Sequence, residues 1–398
     1  MKRRTLQDRL VALAEQYPVV FLTGPRQSGK TTLTRMAFPE YEYVSLEDLQ
    51  NREEALEDPR GFLRRREGAE GVILDEVQRT PDLFSYLQGI ADEGRSGPYI
   101  LTGSQQFLLD ERISQTLAGR AAILELLPFS LAELAGRAAR APEELRAPSR
   151  SSPVLEGTLD EHLFTGSFPR IHDRGLDPIP WLDGYLRTYV ERDVRTLTNI
   201  GDLDAFTRFL GLCAGRAGSL LNLSALGADA GVTHVTAKRW ISILRAGYVI
   251  DLLRPHSENF GKRLVRAPKL YFTDTGLLCR LLGVRSPGDL RLHPLRGAIF
   301  ENLIVSELRK VFLHRGERPP IWFWRDSRGR EVDVLVDLGT RRIPFEAKAG
   351  ETVPSDAFKG LDDYGALSGK PGGVLVHGGD GASYERRGHL VRSWREIS

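Results

Sequence analysis

Residues 24–31 read GPRQSGKT and meet G-x-x-x-x-G-K-[ST] at every fixed position. The pattern ties the chain to one local fold: an apolar strand, a tight glycine-rich turn, then a helix. YPVVFLTG (17–24) supplies the strand and the residues after Gly29 supply the helix. In that setting the backbone N–H groups of Gly24, Pro25, Arg26, Gln27, Ser28, Gly29, Lys30, Thr31 and Thr32, proline excepted, can point inward around a phosphate. The helix N-terminus adds positive potential, Lys30 reaches the β- and γ-phosphates, and the Thr31 hydroxyl is a ligand for Mg²⁺. ATP and Mg²⁺ are therefore the expected cofactors.

Three further apolar runs, YEYVSLED (41–48), GVILDE (71–76) and PYILTGS (98–104), are separated by polar stretches of helical length. Alternation of this kind predicts a parallel sheet with helices on both faces. The second run ends in two acids. Asp75 is placed to hold Mg²⁺ and Glu76 to polarise the attacking water, so hydrolysis as well as binding is expected; the plainer reading of Glu76 is a carboxylate in a solvated first helical turn.

These pieces resemble the AAA+ class. The resemblance implies a polar residue at the end of the strand in YILTGSQ that senses the γ-phosphate, Ser104 first and Thr102 second. It implies that Arg120, in LAGR, is presented to a neighbouring subunit's γ-phosphate, the alternative being a pair with a local carboxylate. Pro169, in GSFPR, is similar to a lid element that contacts the nucleotide. Taken in order, GPRQSGKTT, LDEVQ, LTGSQ, LAGR, LLPFS, YVERDV, FTDTGL, IFENL and EVDVLV with FEAK resemble one bacterial and archaeal family of AAA-type ATPases whose C-terminal half is known mainly as a domain of unknown function. That resemblance implies ATP binding and a homo-oligomer, a ring.

From residue 221 the text LNLSALGADAGVTHVTAKRWISILRAGYVIDLLRP gives a helix (223–229), a glycine-centred turn, a second helix (236–245) and a strand (248–253), the order of a winged helix-turn-helix. Between residues 232 and 270 stand Lys238, Arg239, Arg245, Arg254, Lys262, Arg263, Arg266 and Lys269 against Asp251 and Glu258. Such a basic surface is a footprint for phosphates. Thr233, Thr236, Lys238, Arg239, Lys262 and Arg263 are the candidate DNA contacts; a protein-binding module with a solvated basic face is the alternative.

Near the C-terminus VDVLVDLGTRRIPFEAKAG (332–350) puts acids and a lysine on two apolar runs. On strands, Glu331 and Asp333 share one face, as do Glu346 and Lys348. Paired, the strands would bring Asp333 and Glu346 to one hard divalent ion, with Lys348 orienting a water and Glu301, from IFENL, as outer ligand or base. The order resembles the PD-(D/E)XK nuclease core, with Val332 at the position of its loosely kept proline. A nuclease-like fold kept as a binding or assembly platform is the alternative.

The expected organisation is α/β and multi-domain: an AAA+ P-loop core with a parallel sheet (1–130), a helical lid (131–204), a winged helix-turn-helix (205–285) and a restriction-endonuclease-like α/β domain (286–398). A length of 398 residues supports several domains. A net charge of +2 requires any nucleic-acid site to be a local patch. Cys213 and Cys279 sit in apolar stretches far from other ligands, which fits a reducing cytoplasm, and no run reaches the roughly 18 apolar residues of a membrane span. The function expected is ATP-dependent assembly on, or remodelling of, branched or forked DNA, with a Mg²⁺-dependent nuclease attached. A nucleotide-dependent switch that binds protein or DNA and cuts nothing is the alternative, and a transcription regulator a third.

Overall fold

The computed structural model describes residues 2–66, 68–93, 97–104, 117–148, 155–189, 202–256 and 267–398. Five strands, β1 (Val19–Thr23), β2 (Glu42–Ser45), β3 (Val72–Asp75), β4 (Tyr99–Thr102) and β5 (Ala121–Glu125), form a sheet in the order β2-β3-β4-β1-β5. Every pairing is parallel. Alternate residues feed opposite faces: Val19, Phe21, Leu74 and Leu101 join one apolar cluster, and Val20, Leu22, Ile73 and Ile100 the other. Both faces of the three inner strands are thus covered, which explains why β1, β3 and β4 read as apolar runs, while β2 and β5 at the edges are partly exposed. Because the strands run the same way, their C-terminal ends gather the loop after β1, Asp75 and Thr102 along one edge.

Short helices follow, among them Leu159–Thr165, Pro169–Arg174 and Pro178–Thr188. Helices Leu203–Ala214, Leu223–Ala230 and His234–Ala246 then pack together, with Trp240 edge-on to Phe206 and Phe209 at 5.3 and 5.2 Å. The last helix starts two residues before the expected position, because Thr233 caps it by accepting from the Thr236 N–H. An antiparallel pair, β6 (Ile250–Leu253) and β7 (Lys269–Phe272), completes this unit.

The C-terminal sheet has the order β12-β13-β11-β10-β9-β8, from β8 (Ile321–Arg325), β9 (Glu331–Asp337), β10 (Arg342–Lys348), β11 (Val374–His377), β12 (Tyr384–Arg386) and β13 (His389–Ser393). Helix Arg296–Leu313 covers the face bearing Val334, Val336, Phe345 and Val376. Helix Lys359–Ser368 covers the face bearing Val332, Leu335, Leu375 and Val391. Asn302, fully buried on the first of these helices, donates to and accepts from the Phe272 main chain at 2.8 and 2.6 Å, as a neighbouring strand would. The same helix reaches the first sheet: Arg309 lies 3.5 Å from Glu125 and 3.2 Å from Asp251. No helix among the described residues is long and apolar enough to cross a membrane.

Candidate functional site

Gly24 opens the loop at φ 143°, and a Cβ there would lie 2.2 Å from the Leu126 carbonyl oxygen, so the turn accepts glycine alone. Gly29 caps the following helix in the left-handed region at φ 93°. Lys30 is 6% exposed and donates to the Gly24 and Pro25 carbonyls at 3.0 and 2.8 Å. Burial pushes its amine down to about 8 even though Glu76 and Asp75 pull the other way. The Ser28 carbonyl is held from behind by the buried Arg4, whose guanidinium donates to it at 2.7 Å and to Leu127 O at 2.6 Å.

Asp75 is the hub of the opposite wall. It accepts from Thr31 Oγ1 at 2.9 Å, from Tyr43 OH at 2.8 Å and from Thr102 Oγ1. A hydroxyl and a carboxylate thereby converge on one point, the donor set that a Mg²⁺ shared with phosphate oxygens takes. Burial and then Asp75 push the Tyr43 phenol up to about 12, so Tyr43 stays a donor. Thr102, the second choice for the sensing position, contacts Asp75 directly and accepts from the Glu76 N–H at 3.4 Å. Ser104, the first choice, is buried one step away and accepts from Gln78 at 3.5 Å. Glu76 has φ 59°, a left-handed backbone that costs a non-glycine residue about 1–3 kcal/mol. Its carboxylate accepts from Gln78 Nε2.

A cavity of about 530 Å³ lies between these residues and the helix Pro169–Arg174. Gln27, Gly29, Lys30, Thr31, Thr32, Asp75 and Glu76 line it on one side, and Pro169, Arg170, Asp173 and Arg174 on the other. Thus Pro169 faces the loop, and Arg170 and Arg174 add charge near it. In the sequence only GSFPR hinted at Arg170, and nothing there pointed to Arg174, Arg4 or Tyr43. Arg120 lies outside this cavity. It precedes β5, at the sheet edge opposite the loop, about 16 Å of strand away. It forms a two-point pair with Asp92 at 2.5 and 3.1 Å.

The second site sits where β7, β9, β10 and helix Arg296–Leu313 meet. The β9–β10 pairing sets Phe345 opposite Val334, and one further step along it puts Glu346 opposite Asp333. Asp333 accepts from the Ala347 N–H at 2.9 Å, and Lys348 donates to Glu346 at 2.7 Å. Burial, then Glu301 and Glu346, raise the Asp333 carboxyl well above its ordinary range. Burial also raises Glu346, against the pull of Lys348. The sequence reading missed the centre's main cation. Lys269 is not a surface contact for phosphates: it is buried, 2.9 Å from Glu301 and 2.5 Å from Glu331, because β7 turns it inward. Tyr271 adds a donor to Glu301 at 2.5 Å. Among the described residues no group of three or more His, Cys, Asp or Glu side chains is arranged to hold a metal ion as it stands.

On helix His234–Ala246, Val235, Lys238, Arg239, Ser242 and Arg245 are exposed along one face, with Thr233 at its start and Thr236 partly buried beside it. Lys262, Arg263, Arg266 and Glu258 lie outside the described residues, as does most of YVERDV.

An AAA domain family matches residues 16–135. Two domains of unknown function match beyond it, DUF8612 over residues 156–288 and DUF4143 over residues 296–395. The uncharacterized protein Rv2008c of Mycobacterium tuberculosis (strain ATCC 25618 / H37Rv) is 32% identical over 359 residues, which cover 88% of this chain and 75% of that one. Mb2031c of Mycobacterium bovis (strain ATCC BAA-935 / AF2122/97) gives the same values. The chain belongs to the family of these mycobacterial proteins, as a P-loop AAA ATPase with a C-terminal DUF4143 domain. Among solved structures, the Walker-type ATPase paby2304 of Pyrococcus abyssi aligns with this ATPase at a TM-score of 0.47 and 15% identity, over 71% of this chain and 96% of that one. The Thermotoga maritima RuvB Holliday junction branch migration motor aligns at 0.32 and 20% identity, over 63% and 87%.

Proposed function

We propose that this ATPase couples ATP hydrolysis to engagement of DNA, with branched or forked DNA as its substrate. One observation carries the reading: the helix with the exposed basic face ends at Ala246, and two residues on stands Tyr248, whose hydroxyl is 3.0 Å from Thr23 Oγ1, one residue before the phosphate loop. A change in that loop therefore acts directly on the unit that would meet phosphates. In this reading the unit is a winged helix-turn-helix. Thr233, Thr236, Lys238 and Arg239, with Lys262 and Arg263, contact the DNA backbone, where cations dominate affinity.

Thr31 and Asp75 would hold Mg²⁺, which when bound would supply positive charge beside the phosphates. Glu76 polarises the attacking water, Thr102 or Ser104 orients it, and Pro169 with Arg170 closes over the nucleotide. Arg120 acts on a neighbouring copy in a ring, which its place on the far sheet edge supports, since it is too distant to serve its own loop. The Asp333, Glu346 and Lys348 centre, with Glu301, is a Mg²⁺-dependent nuclease site; the raised Asp333 carboxyl supports this, because like charges crowded in a buried place favour a cation.

A second reading is a nucleotide-dependent switch that cuts nothing. Lys269 favours it, since its ammonium already neutralises Glu301 and Glu331. Labelled fork, four-way junction and plain duplex, titrated with protein in Mg²⁺ and a slowly hydrolysed ATP analogue, test the proposal by anisotropy and denaturing gels. Tighter binding to fork or junction, lost on joint Lys238→Ala and Arg239→Ala substitution, is the expected result. Equal, negligible binding to all three overturns the DNA role, and binding without cut strands leaves the switch.

A further inference from the structure

A second cavity of about 840 Å³, which shares no lining residue with the nucleotide cavity, lies between the N-terminal arm and the end of helix Arg296–Leu313. Six of its lining side chains are lysine or arginine and three are carboxylates. Two of the carboxylates are already engaged: Asp8 with Arg3 at 2.8 Å and Glu133 with Arg4 at 3.2 Å. Glu133 is further committed to His314, 3.3 Å away. Burial alone would raise its carboxyl, but His314 and Arg4 hold it well below the usual range. That leaves Lys2, Arg9, Arg137 and Arg315 with Glu317 as the one further carboxylate in the lining, while Glu307 and Glu396 act on Arg137 from behind the wall.

Three of those cations are held by neutral groups. Lys2 donates to Leu134 O at 2.7 Å, Arg137 to Arg395 O at 2.8 Å and Arg315 to Ala139 O at 3.0 Å. Carbonyls fix the side chains in position without cancelling their charge. Burial, and after it Arg140, push the Arg137 guanidinium below its ordinary value against the pull of Glu307 and Glu396. The buried Nε–H groups of Arg137 and Arg315 find no acceptor among the described residues. A buried donor left unsatisfied costs about 1–3 kcal/mol, more when charged. Fixed guanidinium groups with spare N–H donors, in a hollow of small-molecule size, match the oxygens of a phosphate.

We propose that this cavity is a second anion site, which takes a small polyphosphate-bearing ligand, distinct from the nucleotide site. Arg4 forms its inner wall and also donates to the Ser28 carbonyl, so an anion here acts on the guanidinium that steadies the phosphate loop.

The test is calorimetric titration of the full chain carrying Lys30→Ala, which disables the phosphate loop, with inorganic tripolyphosphate at physiological salt. Saturable binding of one anion per chain is expected. Adding Arg137→Gln and Arg315→Gln should weaken it at least about tenfold, the scale of one charge-assisted hydrogen bond. Since both arginines also brace main-chain carbonyls, Arg9→Gln serves as an exposed second variant, and a weakening of about threefold is expected for one cation at the rim. Failure of the Lys30→Ala chain to bind tripolyphosphate overturns the proposal. So does an affinity that neither the double variant nor Arg9→Gln changes, because the anion would then sit elsewhere on the chain.

Discussion

The hydroxyl of Tyr248 meets the hydroxyl of Thr23 at 3.0 Å, and this one contact joins the helix pair of the middle domain to the residue before Gly24. Tyr248 is buried and takes φ 57°, a conformation that a tyrosine keeps only when its surroundings enforce it. Tyr248→Phe should cost about 1 kcal/mol of stability, the net worth of one hydrogen bond. It should leave basal ATP hydrolysis within about threefold of the parent, while the response of hydrolysis to DNA falls away. Urea unfolding and steady-state kinetics with and without forked DNA check the two halves.

ATP affinity should fall as pH rises through about 8, because phosphates favour the charged form of Lys30 and burial has lowered its amine to that value. The slope is about tenfold per pH unit while the nucleotide-bound amine stays protonated. In the nucleotide-free chain the unfolded state holds this proton more firmly than the folded state between pH about 8 and 10.5, so this group makes stability rise with pH across that window. Fluorescent-nucleotide titration from pH 7 to 9.5 checks the binding, and Lys30→Arg should remove the inflection.

Asp333→Asn should stabilise the metal-free protein at pH 7. The raised carboxyl means that the folded state binds its proton more tightly than the unfolded state, so ionisation weakens folding as pH climbs past the ordinary aspartate range. The gain should vanish at pH values where both states are protonated. Melting curves at pH 3 and pH 7 measure it. The same curves repeated with Mg²⁺ should show a rise for the parent chain and none for Asp333→Asn if the centre takes a cation.

Arg120→Ala should leave the melting temperature unchanged, since the pair with Asp92 is at the surface. Hydrolysis should drop at least about a hundredfold if Arg120 serves a neighbour. Mixing it with Lys30→Ala chains should restore part of the activity, because some interfaces then combine an intact loop with an intact arginine. No recovery in mixtures that assemble would assign Arg120 to its local pair alone.

The sequence made the first sheet legible because a parallel sheet buries both faces, so its strands stand out as apolar runs ending in polar residues such as Asp75 and Thr102. It concealed β12 and β13, where Tyr384-Glu-Arg and His389-Leu-Val-Arg-Ser look too polar for a sheet. Their signal was the turn itself: Arg387 and Gly388 both have positive φ, at 56° and 77°, as a two-residue hairpin turn requires. The acids of the second site were visible from their period-two spacing, but Lys269, more than 30 residues upstream of Glu301, was not. Only the packing of β7 against β9 and the helix brings it there, and the same long-range packing brings Arg4 behind Ser28.

The most direct measurement is steady-state ATP hydrolysis by the full chain with forked DNA, at increasing salt, beside the Lys238→Ala, Arg239→Ala double variant. Hydrolysis stimulated several-fold by the fork, with the stimulation lost at high salt and in the double variant while the basal rate persists, is the predicted result. A rate indifferent to DNA at every salt concentration, in a chain that hydrolyses ATP normally, would contradict the coupling of this ATPase to DNA.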